Sequence, residues 1–252
     1  MQSVPQAGGP DCIAGADMNR KFMLCCRKGC GMEVRMMRIG EKEKLVMIGD
    51  SVTDCGRAYP LGEGNGAMGN GYPQYVQSLL DMNYPERHIR VINMGISGNT
   101  SADLRQRWQK DVLDLKPDWV SIMIGINDVW RQFDRCLNTE EHVHIDAYEE
   151  NLEWMLQQTM PVVKGICLMP PCYMEQNHAD EMRAMSDAYG NVVRKLAEKY
   201  GLVFADAQKA MDAYFRHYPA IYMSWDRVHP NSTGHMIIAK SFVDAMGFAW
   251  NR

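Results

Sequence analysis

Four short islands fall in one order along the chain: Gly49-Asp50-Ser51, Ser97-Gly98-Asn99-Thr100, Gly125-Ile126-Asn127-Asp128 and Asp226-Arg227-Val228-His229-Pro230. A serine hydroxyl is a weak nucleophile at neutral pH until an imidazole accepts its proton, so Ser51 needs a histidine brought to it by the fold. His229 is the candidate base. An aspartate three residues earlier, on a tight turn, can hold the Nδ1 proton of that ring, which fixes the tautomer and stabilises the imidazolium; Asp226 suits the role. The tetrahedral intermediate of acyl transfer also needs donors aimed at its oxyanion. Candidates are the backbone N–H of Gly98, where glycine permits close approach, the side-chain amide of Asn127, and the backbone N–H of Ser51. Asp50 reads as a turn former and Asp128 as a brace for its own loop.

Taken singly these islands are weak signals, since an Asp-x-x-His spacing arises readily by chance. Their value lies in the order and in where they sit. From residue 45 onward short apolar or β-branched runs alternate with amphipathic stretches, the pattern of a parallel sheet covered by helices. Strands are expected over 45–48, 89–93, 119–124, 165–169 and 202–205, and helices over 72–82, 101–113, 147–159, 179–200, 208–216 and 232–246. Thr100, Asp146 and Asn231 read as N-caps. Ser51, Gly98 and Asn127 then follow the first three strands, and 170–173 follows the fourth. Parallel strands deliver their following loops to one rim, where ligands bind in open α/β sheets.

Composition narrows the function classes. With 31 acidic against 27 basic side chains the formal charge is -4, and the basic residues are dispersed, so no nucleic-acid footprint is present. No apolar run approaches the roughly 18 residues of a membrane span. A soluble, cytoplasmic protein with neither nucleic-acid nor membrane partner is expected. Eight cysteines in 252 residues do not make a disulfide scaffold, and Cys25-Cys26-x3-Cys30 lacks a second ligand pair for a metal. His142-Val143-His144 likewise lacks carboxylate support, so no metal and no cofactor is expected. The 21 methionines read as pliable core filling. Residues 1–40 carry Gly, Pro and several candidate initiator methionines without hydrophobic periodicity, and are expected to be a disordered or misannotated leader before one domain over 41–252.

At the four islands the chain resembles the SGNH, or GDSL-type, hydrolase superfamily. That resemblance implies a three-layer α/β/α flavodoxin-like sandwich on a five-stranded parallel sheet, and agrees with the absence of a Gly-x-Ser-x-Gly elbow. Longer stretches are similar to bacterial intracellular acetylxylan esterases of that superfamily: Gly49-Asp50-Ser51-Val52-Thr53-Asp54-Cys55-Gly56-Arg57, Asn93-Met94-Gly95-Ile96-Ser97-Gly98-Asn99-Thr100, the run from Val120 to Arg131, and Trp225-Asp226-Arg227-Val228-His229-Pro230. The likeness runs from about residue 40 to the C-terminus, with Val52 where the name-giving Leu of GDSL would stand. It implies a serine esterase that removes acetyl groups from xylo-oligosaccharides without a cofactor, often as a homo-oligomer. Its rivals are a lipase, lysophospholipase or thioesterase of the same superfamily and a non-catalytic binding module on the same fold.

Beyond the reacting groups, Arg57, Trp130, Arg131 and Tyr173 fall on the expected rim and are candidate sugar contacts by stacking and hydrogen bonding. Trp225 could line the acyl pocket or bury against a partner subunit. Gly64 to Gly69 satisfies a dinucleotide pattern but lies too far past the first strand, and reads as a flexible rim loop. Cys55 reads as a packed small residue rather than a thiol nucleophile.

Overall fold

The computed structural model describes residues 36–252 with the exception of Asn65. Five strands, β1 (Lys44–Gly49), β2 (Arg90–Asn93), β3 (Trp119–Met123), β4 (Gly165–Met169) and β5 (Val203–Phe204), form one parallel sheet in the order β2-β1-β3-β4-β5. This is the flavodoxin-like winding, in which the order of the strands reverses between β1 and β3 and leaves a crevice at their carboxyl ends.

The alternation within each strand explains the three layers. Leu45, Met47, Val91, Trp119, Met123, Cys167 and Met169 face one side of the sheet and are buried beneath α2 (Tyr72–Asn83), α7 (Ala207–Phe215) and α8 (Ser232–Ala245). Val46, Ile48, Ile92, Val120, Ile122, Ile166 and Leu168 face the other, beneath α3 (Ser101–Asp111), α5 (Ile145–Thr159) and α6 (Glu181–Tyr200). Strands covered on both faces are apolar at nearly every position, which is why they appear in the sequence as unbroken runs.

Two helices were not expected from sequence: α1 (Ser51–Asp54) and α4 (Ile126–Asp134). Asn127 and Asp128 are poor helix formers, and they open α4 because the fold uses their side chains elsewhere. Thr100 caps α3 in a full capping box with Asp103, and Asn231 caps α8, both as expected. Asp146 does not cap α5. That helix begins two residues earlier, at Ile145, with His144 at its cap, leaving Asp146 in the first turn where its charge complements the helix dipole. The helix expected over 101–113 stops at Asp111 and passes into a 3-10 turn at Leu113–Leu115.

The expected domain start at residue 41 falls late. Met37 and Ile39 are buried in the core, and the Arg38 amide donates to the Met246 carbonyl at 2.9 Å. Residues 1–35, with Cys12, Cys25, Cys26 and Cys30, lie outside the described residues. The loop expected to be flexible around Gly64 to Gly69 is tied down on both flanks: the Asn93 amide donates to the Gly62 carbonyl at 2.8 Å before it, and on the far side Met68 is buried with its carbonyl accepting from Asn93 Nδ2 at 2.9 Å.

Candidate active site

Ser51 opens α1 directly after β1, with Asp50 as the N-cap whose carboxylate accepts from the Val52 amide at 2.9 Å. The segment carrying His229 comes from the far end of the chain, between α7 and α8, and the two meet over the carboxyl ends of the sheet. Ser51 Oγ lies 2.8 Å from His229 Nε2. On the other side of the ring, His229 Nδ1 lies 2.6 Å from Asp226 Oδ2.

The second oxygen of Asp226 explains why a spacing of three works. Oδ1 accepts the backbone N–H groups of Val228 and His229, at 2.9 and 2.8 Å, and the Ser224 hydroxyl at 2.9 Å. The turn is thereby closed by the same carboxylate that orients the imidazole. Burial alone would raise this carboxyl, but the hydrogen bonds from His229, Val228 and Ser224 outweigh it and hold it down to about 2. Asp226 therefore stays ionised wherever the histidine can act as a base. Arg227 between them takes a left-handed conformation with φ 66°, and its guanidinium pairs with Glu175 at 2.9 Å and Asp180 at 3.2 Å.

Gly98 follows β2 and Asn127 opens α4 after β3, at the same carboxyl-terminal rim of the sheet as Ser51. Gly98 has φ 84°, a conformation that disfavours any residue with a Cβ, and neither its amide nor that of Ser51 donates to a backbone carbonyl among the described residues. Asn127 is buried; one amide hydrogen goes to the Asn99 carbonyl at 3.0 Å, and Oδ1 accepts from Arg131 Nη2 at 3.0 Å. An amide nitrogen has two hydrogens, so one remains for a ligand. Gly125, at φ 129°, turns the chain into α4 against the Tyr148 hydroxyl, where a Cβ would come within 2.8 Å.

Asp128 braces its loop as expected, although at longer range: its carboxylate accepts the Ser101 amide at 3.0 Å and the Ser101 hydroxyl at 2.5 Å. Complete burial pushes its carboxyl up to about 7, with the Ser101 hydrogen bonds opposing. Asp50 is raised to about 6, again by burial, with the Val52 hydrogen bond and the nearby His229 opposing.

Sequence reasoning missed two further braces. Asp54 accepts the amide and hydroxyl of Ser97 and the Tyr59 hydroxyl, tying α1 to the loop after β2. Arg107 on α3 reaches the Gly49 and Met94 carbonyls and Asn99 Oδ1, pinning the ends of β1 and β2 together. Neither brace had a spacing signal, because the groups it ties together, Ser97 for Asp54 and Gly49, Met94 and Asn99 for Arg107, lie on other elements.

The four expected sugar contacts divide. Arg57 is buried, and its Nε and Nη1 donate to the carbonyls of Gly95, Ala58 and Pro60, which holds the loop. Arg131 is engaged with Asn127, Asp134 and the Trp130 ring, so it too faces its neighbours. Trp130 stands edge-on to His229, with ring centroids 6.0 Å apart, and with Tyr173 it lines a cavity of about 450 Å³ that opens beside Asp226. Cys55 Sγ sits 3.5 Å from His235 Nε2. The Tyr72 amide donates to Nδ1 of that ring, so the proton is on Nε2 and this histidine cannot take one from the thiol. Burial pushes His235 down to about 4. His142 is half-buried and His144 exposed, and among the described residues no group of three His, Cys, Asp or Glu side chains is placed to hold a metal.

The sequence profile of the GDSL-like Lipase/Acylhydrolase family matches residues 47–237. An acetylxylan esterase of Geobacillus stearothermophilus is 54% identical over 218 residues, covering 86% of this chain and 99% of that protein. The crystal structure of that organism's acetylxylan esterase Axe2 superposes with a TM-score of 0.85 at 53% identity, over 86% of this chain and 99% of Axe2. Other structures of Axe2 are described as catalytic mutants in which a serine, a histidine or an aspartate is replaced by alanine. A further solved structure, LAE5, an alpha/beta hydrolase from the metagenome of Lake Arreo, is 46% identical with a TM-score of 0.82, over 84% of this chain and 98% of its own.

Proposed function

The chain belongs to the GDSL-like lipase/acylhydrolase family, and from that premise we propose that it is a serine esterase releasing acetate from acetylated xylo-oligosaccharides. The observation that carries this reading is the unbroken relay from Ser51 Oγ through His229 to Asp226, with spans of 2.8 and 2.6 Å. The acetyl preference and the sugar alcohol rest on the likeness to the acetylxylan esterases.

In the proposed reaction Ser51 Oγ attacks the acetyl carbonyl while its proton passes to His229 Nε2. The carbonyl oxygen becomes an oxyanion facing the amides of Ser51, Gly98 and Asn127. As the intermediate collapses, the bond to the sugar oxygen breaks and that oxygen takes the proton from His229. Acetyl-Ser51 remains. Water then gives its proton to His229 and attacks the acetyl carbon, and the Ser51 oxygen leaves and recovers the proton, releasing acetate. His229 has to be unprotonated to begin either half, so kcat/KM declines on acidification.

Ser51→Ala tests the reading. The variant should keep the wild-type circular dichroism and melting transition while losing hydrolysis of p-nitrophenyl acetate and of acetylated xylobiose; equal activity would remove Ser51 from the mechanism. An acyl-length series on one alcohol separates an acetylesterase from a lipase or thioesterase, the former losing rate as the chain lengthens.

The free thiols Cys136, exposed, and Cys55, half-buried, fit a reducing, cytoplasmic setting. Trp225 at 82%, Tyr222 at 67% and Ile221 at 65% exposure form an apolar patch one turn from Asp226, which supports a homo-oligomer burying it. Sedimentation of wild type and Trp225→Asp checks this: the variant should dissociate, and an unchanged mass would place any interface elsewhere.

A further inference from the structure

Chemistry fixes which side of the site the sugar occupies. The departing oxygen has to take its proton from His229 Nε2, so the ring bearing it lies on the histidine side of the crevice, away from the amides of Gly98 and Asn127. Trp130, on α4 one turn after Asn127, stands edge-on to His229, and together with Asp226 it lines the cavity of about 450 Å³. That volume is within the range of roughly 300–1,000 Å³ typical of small-molecule sites. Its apolar wall is aromatic, from Trp130, Phe133 and Tyr173. Such rings suit the C–H faces of pyranose units.

Its polar wall is mostly acidic, four carboxylates to one guanidinium. Asp134, Asp180 and Glu181 line it beside Asp226, against the guanidinium of Arg227. Arg227 is itself committed to Glu175 and Asp180, and Asp134 pairs with Arg131 just outside. Glu181, the first residue of α6, is exposed and its carboxylate has no ion-pair partner among the described residues. Hydroxyl groups can donate to carboxylates, whereas a carboxylate on the ligand meets like charge.

We propose that this cavity is the alcohol-side site and that its carboxylates make the enzyme select neutral over anionic sugar esters. This deepens, and rests on, the carbohydrate-ester reading above. An acetylated xylo-oligosaccharide with a uronic acid branch is then a poor substrate until the branch is neutralised or removed. A reaction that cleaves uronosyl branches accordingly acts upstream of this one.

The test compares acetylated xylobiose carrying a glucuronosyl branch with the same compound carrying glucuronamide, which matches it in shape and lacks the charge. At low ionic strength the wild type should favour the amide by roughly tenfold in kcat/KM, and the preference should shrink toward unity as salt screens it. Glu181→Lys should cut the ratio several-fold at low salt. Equal rates on the two compounds at low salt, or a preference indifferent to both salt and Glu181→Lys, would overturn the proposal while leaving the esterase reading intact. If neither compound nor unbranched acetylated xylobiose is turned over while p-nitrophenyl acetate is, the carbohydrate reading fails and this proposal fails with it.

Discussion

The two walls of the crevice are built on different plans. The base wall is local: Asp226 closes its own turn through the amides of Val228 and His229 and orients the ring two bonds further on, leaving the His229 side chain 43% exposed. The wall proposed to hold the oxyanion is assembled from a distance. Asn127 and Asp128 are buried, and they are held by Asn99, Ser101 and Arg131, which sit on a different loop, a different helix and the next turn of α4. A histidine that shuttles a proton needs room to accept substrate, whereas amides facing a developing charge work best when their orientation is fixed beforehand.

Removing one group from each wall separates these roles most sharply. His229→Ala takes away the only proton acceptor within reach of Ser51 Oγ among the described residues, and kcat should fall by about 10⁴-fold or more, measured on p-nitrophenyl acetate. Asn127→Ala removes one donor, and should cost on the order of 3 kcal/mol of transition-state stabilisation, read as kcat with KM little changed. Equal losses in the two variants would erase the distinction between the walls.

Arg131 sharpens the comparison within the oxyanion wall. Its guanidinium carries only donors, so of the Asn127 amide it can bond Oδ1 alone, which selects the orientation that turns Nδ2 toward the Asn99 carbonyl. Arg131→Ala should lower kcat by about tenfold, and the same change in an Asn127→Ala background should have almost no further effect. Additive losses would show that Arg131 acts by another route.

The smallest effects are on stability, and the walls should respond to pH with opposite sign. Asp226 is held down to about 2 in the fold, below the ordinary carboxylate value, so its contribution is present above that ordinary value and lost as pH falls through about 2. Asp128 is pushed up to about 7, so its contribution is present below the ordinary value and lost as pH rises through about 7. Asp128→Asn removes that titration, and its melting temperature relative to wild type should improve steadily between pH 4 and 8. A constant difference across that range would contradict the assignment.

The same contrast explains what could be read from sequence. The Asp226-to-His229 turn is complete within four residues, so its spacing carried its chemistry. The strands were legible because burial on both faces leaves only apolar runs, and the shared rim followed from parallel strands. Helix α4 was not legible, since Asn127 and Asp128 disfavour a helix locally and are satisfied by Asn99 and Ser101, 28 and 27 residues away. The partners of Arg57 and Arg131 were illegible for a related reason. A cation on a rim loop looks available for substrate until the carbonyls of Gly95 and Pro60, or the amide of Asn127, are seen to occupy it.

The central claim is that Ser51 is made nucleophilic by His229, and covalent capture tests it most directly. Treating the wild type with a fluorophosphonate and mapping the adduct by peptide mass spectrometry should place a single label on Ser51, with labelling slowed by orders of magnitude in His229→Ala. A label on any other residue, or a rate on Ser51 that does not depend on His229, would contradict the account.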